Sequence, residues 1–77
     1  MEIIITSTAQ KRFDKLDSKT KARVANAIKR LPNGDIKKLT GLKNDYRLRV
    51  GNYRILYSME NDIIIVKNIL PRGQAYK

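Results

Sequence analysis

Cysteine and histidine are both missing from this chain of 77 residues. Their absence removes disulfides, thiolate nucleophiles, the usual zinc ligands and the imidazole that most often serves as a general base. No metal and no small-molecule cofactor is expected, so any chemistry must run on Arg, Lys, Tyr and a few carboxylates. Long hydrophobic runs are missing too. The longest, Ile63-Ile64-Ile65-Val66, falls far short of the ~20 apolar residues of a membrane helix. The opening Met1-Glu2-Ile3-Ile4-Ile5 has neither the basic start nor the cleavage site of a secretory signal, so the expectation is a cytoplasmic protein that does not meet a membrane. Acidic residues are scarce: seven Asp and Glu stand against seventeen Lys and Arg, a formal net charge of +10. Such a surface draws polyanions, either nucleic acid or an acidic protein.

What is present is the material of one small globular domain. A hydrophobic content of 42% argues against wholesale disorder. A chain of this length buries only about 60% of the surface its unfolded form exposes, which predicts a shallow cleft rather than a deep cavity. Ile3-Ile4-Ile5 reads as a short buried strand. Ser7 with Gln10 fits a capping box, predicting a helix from about Thr8 to Leu16 with Ala9, Phe13 and Leu16 inward. Asp17 is placed to cap a second helix over Ser18 to Arg30, its inner face Ala25, Ile28 and Leu31, flanked by Ala22 and Val24. Pro32-Asn33-Gly34-Asp35 ends this helical hairpin. Residues 36 to 44 read as a basic connector anchored by Leu39 and Leu42.

From Asp45 the hydrophobic period changes to two. Tyr46, Leu48 and Val50 alternate with Arg47 and Arg49, Gly51-Asn52 supplies a two-residue turn, and Tyr53 to Met59 returns. Glu60-Asn61 reads as a second tight turn before a third strand over Asp62 to Ile69. The expected fold is α+β: an N-terminal strand, a helical hairpin, then an antiparallel three-stranded meander with the helices packed on one sheet face. The Gly51-Asn52 turn sets Arg49 opposite Arg54, with Arg47 on the same face. If Glu60-Asn61 is also a two-residue turn, Lys67 falls opposite Arg54. Directly opposed arginines repel. The plain reading is a solvated outer face; the sharper one is a planar guanidinium cluster that grips phosphate through paired N–H donors.

At this hairpin the sequence resembles the RelE family of toxin–antitoxin ribonucleases. Tyr46-Arg47-Leu48-Arg49-Val50-Gly51-Asn52-Tyr53-Arg54-Ile55-Leu56-Tyr57 is similar to that family's signature, Arg72-Gly73-Gln74-Ala75-Tyr76 to its closing segment, and Lys38-Leu39-Thr40-Gly41-Leu42 to its basic Lys-Leu-x-Gly stretch. The resemblance implies that residues 1 to 77 are a single RelE-like toxin domain of microbial-ribonuclease type, the toxin of a type II toxin–antitoxin pair. It implies metal-independent cleavage of mRNA in the ribosomal A site, where the 2′-hydroxyl attacks the adjacent phosphate and leaves a 2′,3′-cyclic phosphate. Translation would be inhibited. The implied partners are a cognate acidic antitoxin and ribosome-bound mRNA, with contacts to 16S ribosomal RNA.

By the same resemblance Arg54 stabilises charge on the phosphate, assisted by Arg49. Arg72 assists the leaving group or holds the phosphate, and Tyr76 orients the reacting group or stacks on a base. Arg47, Lys38, Lys43 and Lys67 would bind RNA or ribosome. Arg47 and Arg49 stand where some relatives carry lysine, and Leu70-Pro71 where many carry Gly-His. Arginine, with a pKa above about 12, is a poor general base. The proton acceptor is left among Tyr76, Lys67, Lys38 and a ribosomal group. A ParE-like toxin that inhibits DNA gyrase by binding, without nuclease activity, is the alternative. A basic RNA-binding domain without toxicity is a third.

Overall fold

The computed structural model describes residues 2–39 and 44–71. Seven elements follow one another: β1 (Glu2–Ile5), α1 (Ser7–Asp14), α2 (Ser18–Lys29), β2 (Ile36–Lys38), β3 (Asp45–Val50), β4 (Tyr53–Glu60) and β5 (Ile63–Pro71). The strands form one mixed sheet in the order β1-β5-β4-β3-β2. β1 runs parallel to β5, and every other pairing is antiparallel. Both edge strands are short, which limits the row of unpaired backbone groups that each edge presents.

The helices cover one face, with α1 against β5 and α2 against β3. Beneath them lies the core: Ala9, Val24, Ile28 and Leu31 from the helical hairpin and its exit, and Leu48, Ile55, Tyr57, Ile64, Val66 and Ile69 from the sheet. No polar or charged residue is buried in it among the described residues. The α+β reading of helices on one sheet face therefore holds. The connector does not: Ile36–Lys38 is a fifth strand, because Ile36 pairs with Leu48 and extends the apolar face of β3. A three-residue strand carries too short an alternation to stand out in sequence. Leu39 follows it, its N–H donating to the Asp45 carbonyl at 3.0 Å, while Leu42 and Lys43 lie outside the described residues.

Two helix details also differ. The N-cap of α1 is Thr6, not Ser7: its hydroxyl oxygen accepts from the Ala9 N–H at 3.2 Å and its O–H donates to the Lys67 carbonyl at 3.0 Å. Gln10 turns its side chain forward to Asp14 at 2.9 Å instead of back to the cap. Tertiary contact decides between two adjacent hydroxyl residues, since only Thr6 also reaches β5. The helix ends at Asp14 rather than Leu16. Asp17 caps α2 as expected, accepting from the Thr20 hydroxyl at 2.6 Å and the Thr20 N–H at 3.2 Å, and these two bonds hold its carboxyl below the usual range. α2 buries Val24 and Ile28 most deeply, with Ala25 only half-buried and Ala22 exposed. The buried stripe is centred on the β-branched residues.

The β4–β5 turn is shifted relative to expectation. Asn61 and Asp62 occupy it, with φ of 53° and 64°, and Glu60 pairs with Ile63. A turn with positive φ at both positions suits Asn and Asp, whose short side chains tolerate that region, and excludes Glu. A bulge between Leu56 and Tyr57 then changes the register again, so Arg54 pairs with Leu70, not Lys67.

Thr6→Ala removes a cap and a tie to β5 at once, and should cost roughly 1–2 kcal/mol in urea unfolding. Ser7→Ala should stay within about 0.5 kcal/mol. Equal effects of the two substitutions would return the cap to Ser7.

Candidate nucleic-acid interface

The sheet face away from the helices is open, and register places its residues. Paired residues share a face, so Arg49, Arg54 and Leu70 form one row across β3, β4 and β5. Lys37, Arg47, Leu56 and Asn68 form the next, from β2 to β5. Asp45, Ser58, Ile65 and Ile4 follow, then Glu60, Ile63 and Glu2. The hairpin end of the face is thus cationic, and the opposite end is apolar and acidic.

The expected pairing of Arg49 with Arg54 is present. Arg49 is exposed, whereas Arg47 and Arg54 are half-buried and their Nε atoms are closed to solvent. Guanidinium stems packed against the sheet lose little further freedom when their outer N–H groups meet an anion. Like charges opposed across a ladder destabilise it, and a bound phosphate would relieve that repulsion.

Lys67 is the extra residue of the bulge, standing between the pairs Tyr57–Val66 and Leu56–Asn68. Its ammonium crosses β4 to reach Asp45 Oδ1 at 2.8 Å. The ammonium is therefore drawn toward the acidic half of the face, though an exposed pair of this kind contributes little stability. Lys38 pairs with Tyr46 and belongs to the helix-side register of edge strand β2. Its neighbour Lys37, opposite Arg47, shares the open face instead. Sequence reading missed Lys37 because it treated this stretch as a connector, and with a strand assigned there alternation alone would have chosen it. Arg72 and Tyr76 lie outside the described residues, as does Lys43. β5 ends at Pro71, opposite Tyr53 and next to the Arg54 row.

Tyr57 sits under the site on the helix side. It is only 1% exposed and stacks on Tyr46 with ring centroids 5.4 Å apart. Burial, with Tyr46 adding to it, pushes its hydroxyl up to about 12, so it stays protonated at neutral pH and is no base. Among the described residues no three His, Cys, Asp or Glu come together as metal ligands would.

Several known proteins are similar to this chain. The family model of the ParE toxin of the type II toxin–antitoxin system, parDE, matches residues 3–76. Toxin RelE3 of Methanocaldococcus jannaschii is 50% identical over 42 residues, 54% of this chain and 48% of that protein, so the match spans about half the length of this curated relative. A chain of the RelB–RelE antitoxin–toxin complex from Methanococcus jannaschii superimposes with a TM-score of 0.81 at 30% identity, covering 95% of this chain and 94% of that one. The archaeal RelE–RelB complex of Pyrococcus horikoshii gives a TM-score of 0.77 at 26% identity, covering 96% and 97%. The isolated Escherichia coli RelE toxin, at 18% identity and a TM-score of 0.77 with 97% and 87% covered, shares the fold.

The raised Tyr57 hydroxyl has a consequence in alkali. The unfolded chain releases this proton near pH 10 and the folded chain near 12, so stability falls as pH rises through that window. Urea midpoints at pH 9 and 11.5 should converge more closely for Tyr57→Phe than for the wild type. The same alkaline loss in both proteins would reject the assignment.

Proposed function

Because this chain belongs to the ParE toxin family of type II toxin–antitoxin systems, within the RelE/ParE superfamily, we propose that it acts as a ribosome-dependent, metal-independent endoribonuclease that cuts mRNA in the A site. The observation that carries this reading is the cationic end of the open sheet face, where Arg49 opposes Arg54 and Arg47 and Lys37 stand in the next row. A reaction that builds charge on one phosphate needs fixed donors around it, and guanidiniums anchored on a sheet are fixed.

In this reading the mRNA 2′-hydroxyl gives up its proton, its oxygen bonds to the adjacent phosphorus, and the 5′-oxygen departs with a proton. A 2′,3′-cyclic phosphate remains. Arg54 stabilises the charge that builds on the non-bridging oxygens, and Arg49 and Arg47 hold the strand. Arg72 serves the phosphate or the leaving oxygen, and Tyr76 orients the reacting group or stacks on a base. For the proton acceptor the sheet argues against two lysines: Lys67 is turned to Asp45, and Lys38 belongs to the other face. Tyr76 or a ribosomal group is left for that role. The RelB–RelE complexes similar to this chain support an antitoxin partner, and a net charge of +10 favours an acidic one.

The family model itself is that of ParE, which keeps a second reading in view: a toxin that inhibits DNA gyrase by docking its basic face, with no chemistry at Tyr76. A supercoiling assay run beside an RNA-cleavage assay separates the two. Ribosome-bound message should be cut in the presence of EDTA, and Arg54→Ala should lower the rate on the order of 10²–10³-fold. Intact message on programmed ribosomes, together with inhibited gyrase, would move the assignment to the second reading.

A further inference from the structure

A second cationic groove lies round the hairpin tip from the open face. β2 begins at Ile36, opposite Leu48, so the end of β3 at Arg49 and Val50, paired with β4 on one side, has no strand on the other. The loop through Asn33, Gly34 and Asp35 closes on this end instead, with the Arg49 N–H donating to the Asp35 carbonyl at 3.0 Å. Gly34, at φ 133°, is what lets it close, since a Cβ there would stand 2.9 Å from Leu48 Cδ1. The result is a groove of about 250 Å³ between this loop, α2 and the hairpin tip, lined in part by Arg23, Arg30, Arg49 and Asp35. A smaller hollow of about 80 Å³ continues it past Arg23 to Thr20, Asn52 and Tyr53.

Three arginines line one groove with a single carboxylate among them, and among the described residues none of the three forms an ion pair. Arg23 lies over the hairpin turn: a Cβ on Gly51 would stand 3.3 Å from both of its terminal nitrogens. Arg49 stands between the two surfaces: its side chain is on the open face opposite Arg54, and its N–H meets the Asp35 carbonyl at the wall of this groove. A chain of phosphates that meets Arg54 and Arg49 therefore has a cationic path onward to Arg30 and Arg23. An acidic peptide would find charge there as well. What favours a phosphodiester backbone is the continuity with the arginine row, together with guanidinium forks suited to paired phosphate contacts.

We propose that the α2–hairpin groove binds the RNA backbone flanking the segment on the open face, with Arg23 and Arg30 as phosphate contacts. This rests on the RNA reading of the open face and extends the footprint without adding to the chemistry. The test uses the full chain and uncleavable 2′-O-methyl RNA of 4 and 12 nucleotides, with affinity followed over a range of salt. Arg23→Gln/Arg30→Gln should weaken the longer RNA roughly tenfold at about 0.1 M salt and flatten its salt dependence by roughly 1.4 log units per decade, leaving the short RNA nearly unchanged. Arg30→Glu, at an exposed position, should weaken the long RNA on its own, and matched melting temperatures should show that each variant is folded. Unchanged affinity of both variants for the long RNA overturns the groove while leaving the open-face reading intact, provided Arg54→Ala still weakens the short RNA. Loss of binding to polyglutamate with RNA binding kept would assign the groove to a protein partner and overturn it too. A wild-type chain that binds neither RNA would overturn the groove and the open-face reading together.

Discussion

In the β3–β4 hairpin the two-residue turn at Gly51-Asn52, with Gly51 at φ 57°, locks Val50 against Tyr53 and so decides which way every side chain of both strands faces. Leu48 and Ile55 go under the helices, and Arg47, Arg49 and Arg54 go to the open face. A slip of one residue would exchange the two sets. Burying even one unpaired guanidinium costs several kcal/mol, against a total stability of about 5–15 kcal/mol for a typical domain, so the slipped register is not a competing state. The interaction that builds the core is thus the same one that concentrates positive charge on the other side. Site and core cannot be varied independently here.

The third strand needs a separate device to join them. Ile64 and Val66 alternate under the helices, but Ile69 lies an odd number of residues further on and is buried as well. The bulge at Lys67 absorbs the mismatch, and Thr6 secures it by donating to the carbonyl of Lys67 while capping α1. One hydroxyl therefore connects the helix start, the parallel strand pair and the bulge. The same shift brings Leu70 beside Arg54, so the last described residues of β5 stand next to the arginine row. Where the C-terminal segment begins is set by a packing requirement of Ile69.

This explains what the sequence made legible and what it did not. The hairpin could be read to the residue because its turn chemistry and its alternation agree. Asp17 and the second helix could be read because cap and periodicity agree there too. Reading failed where two local signals competed: Thr6 and Ser7 are both good caps, and Asn61 serves either of two turns. A contact distant in sequence, Thr6 with Lys67, decides the first, and the positive φ of Asn61 and Asp62 between Glu60 and Ile63 decides the second. The pair Lys67-Asn68 did interrupt the alternation of β5, and that break is the visible trace of the bulge. Lys37, Arg23 and Arg30 were missed for a different reason. Their grouping depends on where β2 begins and how the helix packs on the hairpin tip, and no short stretch of sequence carries either.

The distribution of charge over the open face has its own logic. The guanidiniums gather at the hairpin end, while Asp45, Glu60 and Glu2 occupy the far rows with Ile4, Ile63 and Ile65 between them. Scattering the acids among the arginines would have neutralised them as ion pairs and eased the repulsion across the ladder. Separating the two signs instead keeps the positive charge together at one end of the face. A face polarised in this way does more than attract a polyanion: it gives the strand a preferred position, because phosphates moved toward the acidic rows lose attraction and gain repulsion. Within a Debye length of about 8 Å at physiological salt, that difference survives between neighbouring rows of a sheet. On the reading proposed above, the arrangement sets position as well as affinity, and position is what in-line attack on a single phosphate demands.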